Sequence, residues 1–263
     1  VSDERIPAAA AEGFQQSAAV YEAARPSYPA DALACIVGRA GLGPGRVVLD
    51  LAAGTGKLTR LLVPSGADVI AVEPVEAMRS VLLEVCGDGV EVLDGTAEAI
   101  PLGDASVDTV TVAQAFHWFD PPAALAEMAR VLRPGGTLVL VWNTRDRSFD
   151  WVRRFGELLV DGEDAERPYD SYYDVDYPAV VAEAGGGAFE PMQQWATDWL
   201  QPCDTDLLVA RAASVSVVGA LSGEERAVVL DRVRELAATH PDLRGRGLFW
   251  FPYTTRVFWC RRR

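Results

Sequence analysis

Val47-Val48-Leu49-Asp50-Leu51-Ala52-Ala53-Gly54-Thr55-Gly56-Lys57-Leu58-Thr59 is the stretch on which the fold turns. A short apolar run ends in an acid, and a glycine-containing bend then opens a segment with helical spacing at Leu58, Leu61 and Leu62. That order reads as a buried strand passing through a tight loop into a helix. Gly54 and Gly56 let the backbone turn sharply and come close to a ligand. In an open parallel sheet, ligands bind beyond the carboxyl ends of the strands, which is where this loop falls.

The same rhythm continues outward. Asp68 to Val72, Val90 to Leu93, Thr109 to Ala113 and Thr137 to Val141 read as further strands, and Val75, Met78, Val81 and Leu82 as the apolar face of an intervening helix. Strands alternating with helices imply βαβ crossovers and a parallel sheet covered on both faces. Asp120-Pro121 reads as an N-cap followed by proline at the first helical position, and Arg133-Pro134-Gly135-Gly136 ends that helix and turns into the next strand. Ser222-Gly223-Glu224-Glu225 is a capping-box pattern ahead of Val229, Val233 and Leu236.

After about residue 145 the rhythm changes: helical stretches around 148–160 and 203–239 flank a tyrosine-rich acidic segment, Tyr169 to Tyr177. Phe189 to Trp195 and Tyr253 to Cys260 are strand candidates for the edge of the same sheet. The expected architecture is α/β: a Rossmann-like, mostly parallel seven-stranded sheet with helices on both faces and a helical lid from the N-terminus and C-terminal insertions. It is expected to form one domain over residues 1–263, with a ligand-binding core in 30–145 and lid helices and edge strands in 146–263.

Composition narrows the function. Lys and Arg total 24 against 38 Asp and Glu, for a formal net charge of −14. Such a surface repels phosphate backbones, so no nucleic-acid partner is expected. Arg261-Arg262-Arg263 reads as a solvated tail. Cys35, Cys86, Cys203 and Cys260 are scattered, fitting neither a disulfide framework nor a zinc site; no metal is expected, and a reducing cytosol suits them. No apolar run approaches the ~20 residues of a membrane span, and the start Val-Ser-Asp-Glu-Arg lacks a signal-peptide pattern. A cytoplasmic protein without a membrane partner is therefore expected.

The loop discriminates among ligands. A dinucleotide fingerprint wants a third glycine where Thr59 stands, and Asp50 would repel a pyrophosphate. Lys57-Leu58 is not the ending of a P-loop. S-Adenosylmethionine has no phosphate and carries an ammonium group, which Asp50 can attract directly or through water. Val69-Ile70-Ala71-Val72 ends in Glu73, where an acid can accept hydrogen bonds from both ribose hydroxyls. The competing structural readings are that Asp50 caps the following helix and that Glu73 is a solvated strand end.

Together these residues resemble the class I S-adenosylmethionine-dependent methyltransferases, over most of the chain, and more closely a small-molecule branch that includes trans-aconitate-methyltransferase-like proteins. Tyr21-x-x-x-Arg25-Pro26-x-Tyr28-Pro29 is similar to the N-terminal signature of that branch, and Asp50 to Gly56 to its cofactor loop. Gly95-Thr96-Ala97-Glu98-Ala99-Ile100-Pro101 is similar to the adenine-side turn. Val107-Asp108 with Ala113-Gln114-Ala115-Phe116-His117-Trp118-Phe119 resembles the fourth strand and the loop beyond it, and Arg133 to Leu138 the turn into the fifth. The chain departs at Ala52, where the common pattern has the first loop glycine, and at Thr96, where relatives frequently have Asp.

The resemblance implies S-adenosyl-L-methionine as cofactor, held by Tyr28, Asp50, Ala52, Gly54, Thr55, Gly56, Glu73, Pro74, Met78, Thr96, Ala97 and Gln114. It also implies a small-molecule acceptor beside Arg25, His117 and Trp118, methylated on oxygen or nitrogen, a carboxylate included. His117 is the candidate catalytic base; a hydrogen-bonded wall residue is the alternative, and a carboxylate acceptor needs no base. His240 reads as a helix C-terminal cap. Tyr169, Tyr172, Tyr173 and Tyr177 belong either to a lid favouring an apolar or cationic acceptor or to an exposed loop, and the aromatics of Phe249 to Tyr253 read as core. Two other functions stay open: a non-methylating reaction on the same cofactor, and a regulatory binding module of the same fold.

Overall fold

The computed structural model describes residues 18, 21–159 and 175–263; Tyr169, Tyr172 and Tyr173 lie outside them. Seven strands form one sheet: β1 (Val47–Leu51), β2 (Asp68–Val72), β3 (Val90–Leu93), β4 (Val107–Ala113), β5 (Leu132–Arg145), β6 (Gln193–Cys203) and β7 (Phe249–Arg261). Their spatial order is β3-β2-β1-β4-β5-β7-β6. The first five pair in parallel, and β7 lies antiparallel between β5 and β6. The mostly parallel seven-stranded sheet is therefore as the sequence implies. From β1 the chain moves outward to β3 and then returns to the other side of β1, which opens a crevice at the carboxyl ends of β1 and β4.

Alternation along the strands assigns the two faces of the sheet. Leu49, Leu51, Val110, Val112, Leu138, Leu140 and Trp142 bury against Leu125 and Met128 of α4 (Pro121–Val131) and Val181 of α6 (Tyr177–Ala184). Val48, Val139, Val141 and Val257 face α1 (Ala30–Ala40), α2 (Thr59–Leu62) and α3 (Glu76–Cys86) through Ile36, Leu62 and Leu82. A third cluster packs α5 (Asp150–Leu158), α7 (Thr205–Ala213), α8 (Ser216–Ala220) and α9 (Gly223–Thr239) over Phe249, Phe251 and Tyr253 of β7. These helices carry a core of their own. Among the described residues, no helix is long and apolar enough to cross a membrane.

Local chemistry explains the element ends. The capping box forms: the Ser222 hydroxyl accepts from the Glu225 amide, and the Glu225 carboxylate accepts from the Ser222 amide. Asp120 holds the N-cap position of α4 but makes no side-chain capping bond, so Pro121 at the first turn does the starting. Gly136 is required where the chain turns into β5, because a Cβ there would lie 2.8 Å from the Arg133 carbonyl oxygen.

Three expectations change. Tyr177, the one tyrosine of its cluster that is described, stacks on Trp142 at 4.9 Å and is buried, so it is core and not an exposed loop residue. It opens α6, a helix the sequence pattern did not announce, which Asp176 caps by accepting from the Ala179 amide. Arg261-Arg262-Arg263 is solvent-exposed at Arg261 and Arg263, as expected, but it is no free tail: Arg261 ends β7, Arg262 donates to the Leu132 carbonyl, and the Arg263 guanidinium donates to the Phe189 carbonyl at 3.0 Å. Backbone acceptors left open at the start of β5 and before β6 hold the run in place.

Candidate active site

The site is built from backbone that ends four parallel strands. After β1, Ala52 (φ 53°) and Gly54 (φ 59°) are in the left-handed region, and Gln114 (φ 61°) adopts it directly after β4. For Ala52 and Gln114 this conformation costs about 1 kcal/mol or more each. Neighbouring strands hold it: the Ala53 amide donates to the Val72 carbonyl at 3.1 Å and the Gln114 amide to the Val141 carbonyl at 2.9 Å. Such strain concentrates where backbone must meet a ligand.

Glu73, at the end of β2, is 5% exposed, and its two carboxylate oxygens accept from the Gly54 and Val75 amides, both at 2.9 Å. Burial pushes its pKa up. It is therefore no solvated strand end; it buttresses the glycine bend and borders a cavity of about 440 Å³. Around that cavity stand Ala52, Gly54, Pro74, Met78, Thr96, Ala97, Gln114 and Trp118, all anticipated, together with Tyr21, Glu98 and Phe119.

Asp50 behaves differently. It is 1% exposed and accepts from the Thr59 hydroxyl at 2.6 Å and the Thr111 hydroxyl at 2.9 Å, and burial pushes its pKa up to about 6. It borders neither cavity and pins the start of α2 to β4. Gly56 also faces away: a Cβ there would meet Cys86 Sγ and Leu82 Cγ at 3.0 Å, so the glycine lets α3 pack against the bend.

A second cavity, of about 110 Å³, shares the wall formed by Ala52, Gly54, Gln114 and Trp118. Arg25, Tyr28, Thr55 and His117, four of the candidate acceptor and cofactor residues, border it. Lys57, Asn143, Arg145, Arg211 and Tyr253 border it too and were not anticipated. Arg145 had a signal, being a charge at the carboxyl end of a strand; Arg211, in an alanine-rich helix, had none. Burial, and then the charge of Arg25, push the His117 pKa down to about 4, so its imidazole is neutral near pH 7. Its ring lies 4.6 Å from Trp118 and 5.4 Å from Trp142.

The N-terminal segment closes one side. Glu22, in the helical turn at 21–24, accepts from the Thr55 hydroxyl at 2.5 Å and from Arg60 at 2.6 Å, while Lys57 donates to its backbone carbonyl at 2.6 Å. Burial raises the Glu22 pKa, but the Thr55 and Arg60 hydrogen bonds and the Lys57 charge outweigh it and leave the group below its usual value. Arg25 donates to the Ser214 carbonyl at 2.9 Å, which ties the same segment to the end of α7. Away from the site, His240 ends α9 as its C-cap and bonds Asp150 at 3.1 Å, matching the structural role read from sequence.

The methyltransferase domain family matches residues 49–140. The chain is 43% identical over 242 residues to an uncharacterized methyltransferase of Mycobacterium tuberculosis, covering 92% of each chain. It is 33% identical over 251 residues to an uncharacterized methyltransferase-like protein of Schizosaccharomyces pombe, covering 93% of each. Its fold is similar to that of a putative methyltransferase from an antibiotic biosynthesis pathway of Anabaena variabilis, with a TM-score of 0.61 at 22% identity over 89% of this chain and 98% of that one.

Proposed function

The chain belongs to the S-adenosylmethionine-dependent methyltransferases, and from that premise we propose that it methylates an oxygen or nitrogen of a small metabolite, a carboxylate oxygen being the form its site suits best. The observation that carries this reading is the common wall of Ala52, Gly54, Gln114 and Trp118 between a large and a small cavity at the sheet's carboxyl edge.

The large cavity suits the donor. Its volume of about 440 Å³ falls within the range for small-molecule sites, mostly apolar with a few placed polar groups. Glu73 would accept from ribose hydroxyls, Met78, Ala97 and Pro74 would flank the adenine, and Gly54 leaves open space where a side chain would intrude. When bound, S-adenosylmethionine supplies a methyl group already activated on a sulfonium. The chain's own work is to align the acceptor across the common wall and to keep water out.

The small cavity supports an acceptor that needs no base. A general base works best with a pKa near the operating pH, and His117 at about 4 lies well below it. A hydroxyl or ammonium acceptor would need a proton removed, whereas a carboxylate is a nucleophile as it stands. His117 then serves as a neutral, hydrogen-bonding wall. The volume of about 110 Å³ restricts the acceptor to a small molecule or to one end of a larger one.

The test is release of S-adenosylhomocysteine during incubation with panels of small carboxylic acids, phenols and amines, with products identified by mass. Methyl esters are expected, with His117→Asn changing kcat less than about tenfold. Turnover confined to phenols or amines, with a ~10²-fold fall in kcat for the variant, would overturn the carboxylate form.

A further inference from the structure

Arg211 stands out among the buried groups. It is 2% exposed, sits on α7 and borders the small cavity. Its Nε donates to the Ala24 carbonyl at 3.2 Å and its Nη2 to the Gln201 side-chain oxygen at 2.8 Å, both neutral acceptors. Its Nη1 is buried without a hydrogen-bond partner. The guanidinium lies 4.6 Å from the Phe251 ring centroid and 5.5 Å from that of Tyr253. No carboxylate among the described residues forms an ion pair with it.

A buried charge is ordinarily paired, because desolvation costs several kcal/mol per ion. Ring faces recover only ~1–2 kcal/mol of that. Tethering the N-terminal segment explains Nε but leaves Nη1 unexplained. The surroundings point the same way. Among the described residues, the lining of the same cavity also carries Arg25 and Arg145, the latter 8% exposed, and no Asp or Glu. The net charge of −14 opposes an anion only at long range. Surface acids are screened beyond ~8 Å at physiological salt, while the buried Arg211 guanidinium acts at contact distance in a low dielectric, so Arg211 outweighs them there.

Resting on the methyl-transfer reading above, we propose that Arg211 is the specificity-determining residue of the acceptor cavity, holding an oxyanion of the acceptor that is not itself methylated. The distinction follows from chemistry: a carboxylate paired to a guanidinium loses nucleophilicity, so the anchored group and the reacting group are different groups. The acceptor carries at least two polar functions, one of them a carboxylate or a phosphate held at Arg211, with Arg145 beside it.

Calorimetric titration of the S-adenosylhomocysteine-bound protein tests this, using succinate, its monomethyl ester, its diamide and inorganic phosphate as probes. Succinate or phosphate is expected to bind while the diamide does not, and whichever binds more tightly identifies the source of the oxyanion. Arg211→Gln is expected to weaken oxyanion binding at least tenfold with S-adenosylhomocysteine affinity unchanged, and Arg211→Lys to restore part of it. Equal binding of diamide and succinate, no binding by either oxyanion, or an Arg211→Gln titration like that of the unaltered protein would overturn the proposal. If Arg211→Gln fails to fold, the contrast between succinate and diamide on the unaltered protein decides alone. Failure of the unaltered protein to take up S-adenosylhomocysteine is a separate outcome, which strikes the methyl-transfer reading itself.

Discussion

Asp50 and Glu73 look alike as strand-end acids, yet they are held by different donors and do different work. Glu73 takes the Gly54 and Val75 amides and faces the large cavity; Asp50 takes the Thr59 and Thr111 hydroxyls and faces the interior. Glu73→Ala should weaken S-adenosylhomocysteine binding by roughly 1–3 kcal/mol through lost charge-assisted hydrogen bonds and a loosened bend. Asp50→Ala should instead show mainly as lost stability, roughly 1–3 kcal/mol in urea unfolding, since the buried Thr59 hydroxyl loses its acceptor and Thr111 keeps only the Leu49 carbonyl at 3.3 Å. Calorimetry on both variants separates the roles, and the reverse pattern would exchange them. The sequence brought both acids to the site because strand, acid and glycine bend are local signals. It could not tell them apart, because Thr111 stands opposite Asp50 only through the β1–β4 register. Arg211 is a stronger case: what makes it unusual is the neutrality of its partners at Ala24 and Gln201, visible only once α7 is packed against the N-terminal segment.

Elements were legible where their signals are local. The glycine bend, the capping box at Ser222 and the apolar runs of β1 to β5 each follow from a few adjacent residues. The placement of β7 between β5 and β6, and α6 with its tyrosine stacked on Trp142, depend on pairings across the chain. The helical turn at 21–24 is of the second kind, since Glu22 fastens it to Thr55, Lys57 and Arg60 more than 30 residues on. Glu22→Gln removes the charge facing Lys57 and Arg60 while keeping the shape. Hydrogen exchange at amides 21–25 should quicken severalfold, and S-adenosylhomocysteine should dissociate faster, because Tyr21 borders both cavities. Both effects should shrink as salt rises, since the pairs are partly exposed. Unchanged exchange at those amides would mean that the Glu22 charge does not hold the turn.

At the scale of the whole molecule, buried groups at and behind the site pull acid stability in opposite directions, His117 one way and Asp50 and Glu73 the other. The folded His117 pKa of about 4 is below its ordinary 6.5, so the unfolded chain binds the extra proton first, and stability is lost as pH falls from 6.5 toward 4. The folded Asp50 pKa of about 6 is above its ordinary 3.8, so its contribution is present at low pH and lost as pH rises through 6. Between pH 7 and pH 5 the first costs up to about 2 kcal/mol and the second returns about 1 kcal/mol. His117 is partly exposed, which trims its share and brings the two closer to cancellation. Glu22, Asp108 and Glu127, all held below their ordinary values, withdraw their stabilisation only at more acid pH. The protein should therefore vary little in stability from pH 7 to pH 5, and His117→Asn should unmask Asp50 by becoming relatively more stable, by about 1–2 kcal/mol, on moving to pH 5. Urea titrations of both proteins at the two pH values measure this directly. A variant that tracks the unaltered protein across that interval would mean that His117 already takes up its proton in the folded state, and with that a neutral wall in the acceptor cavity would be lost.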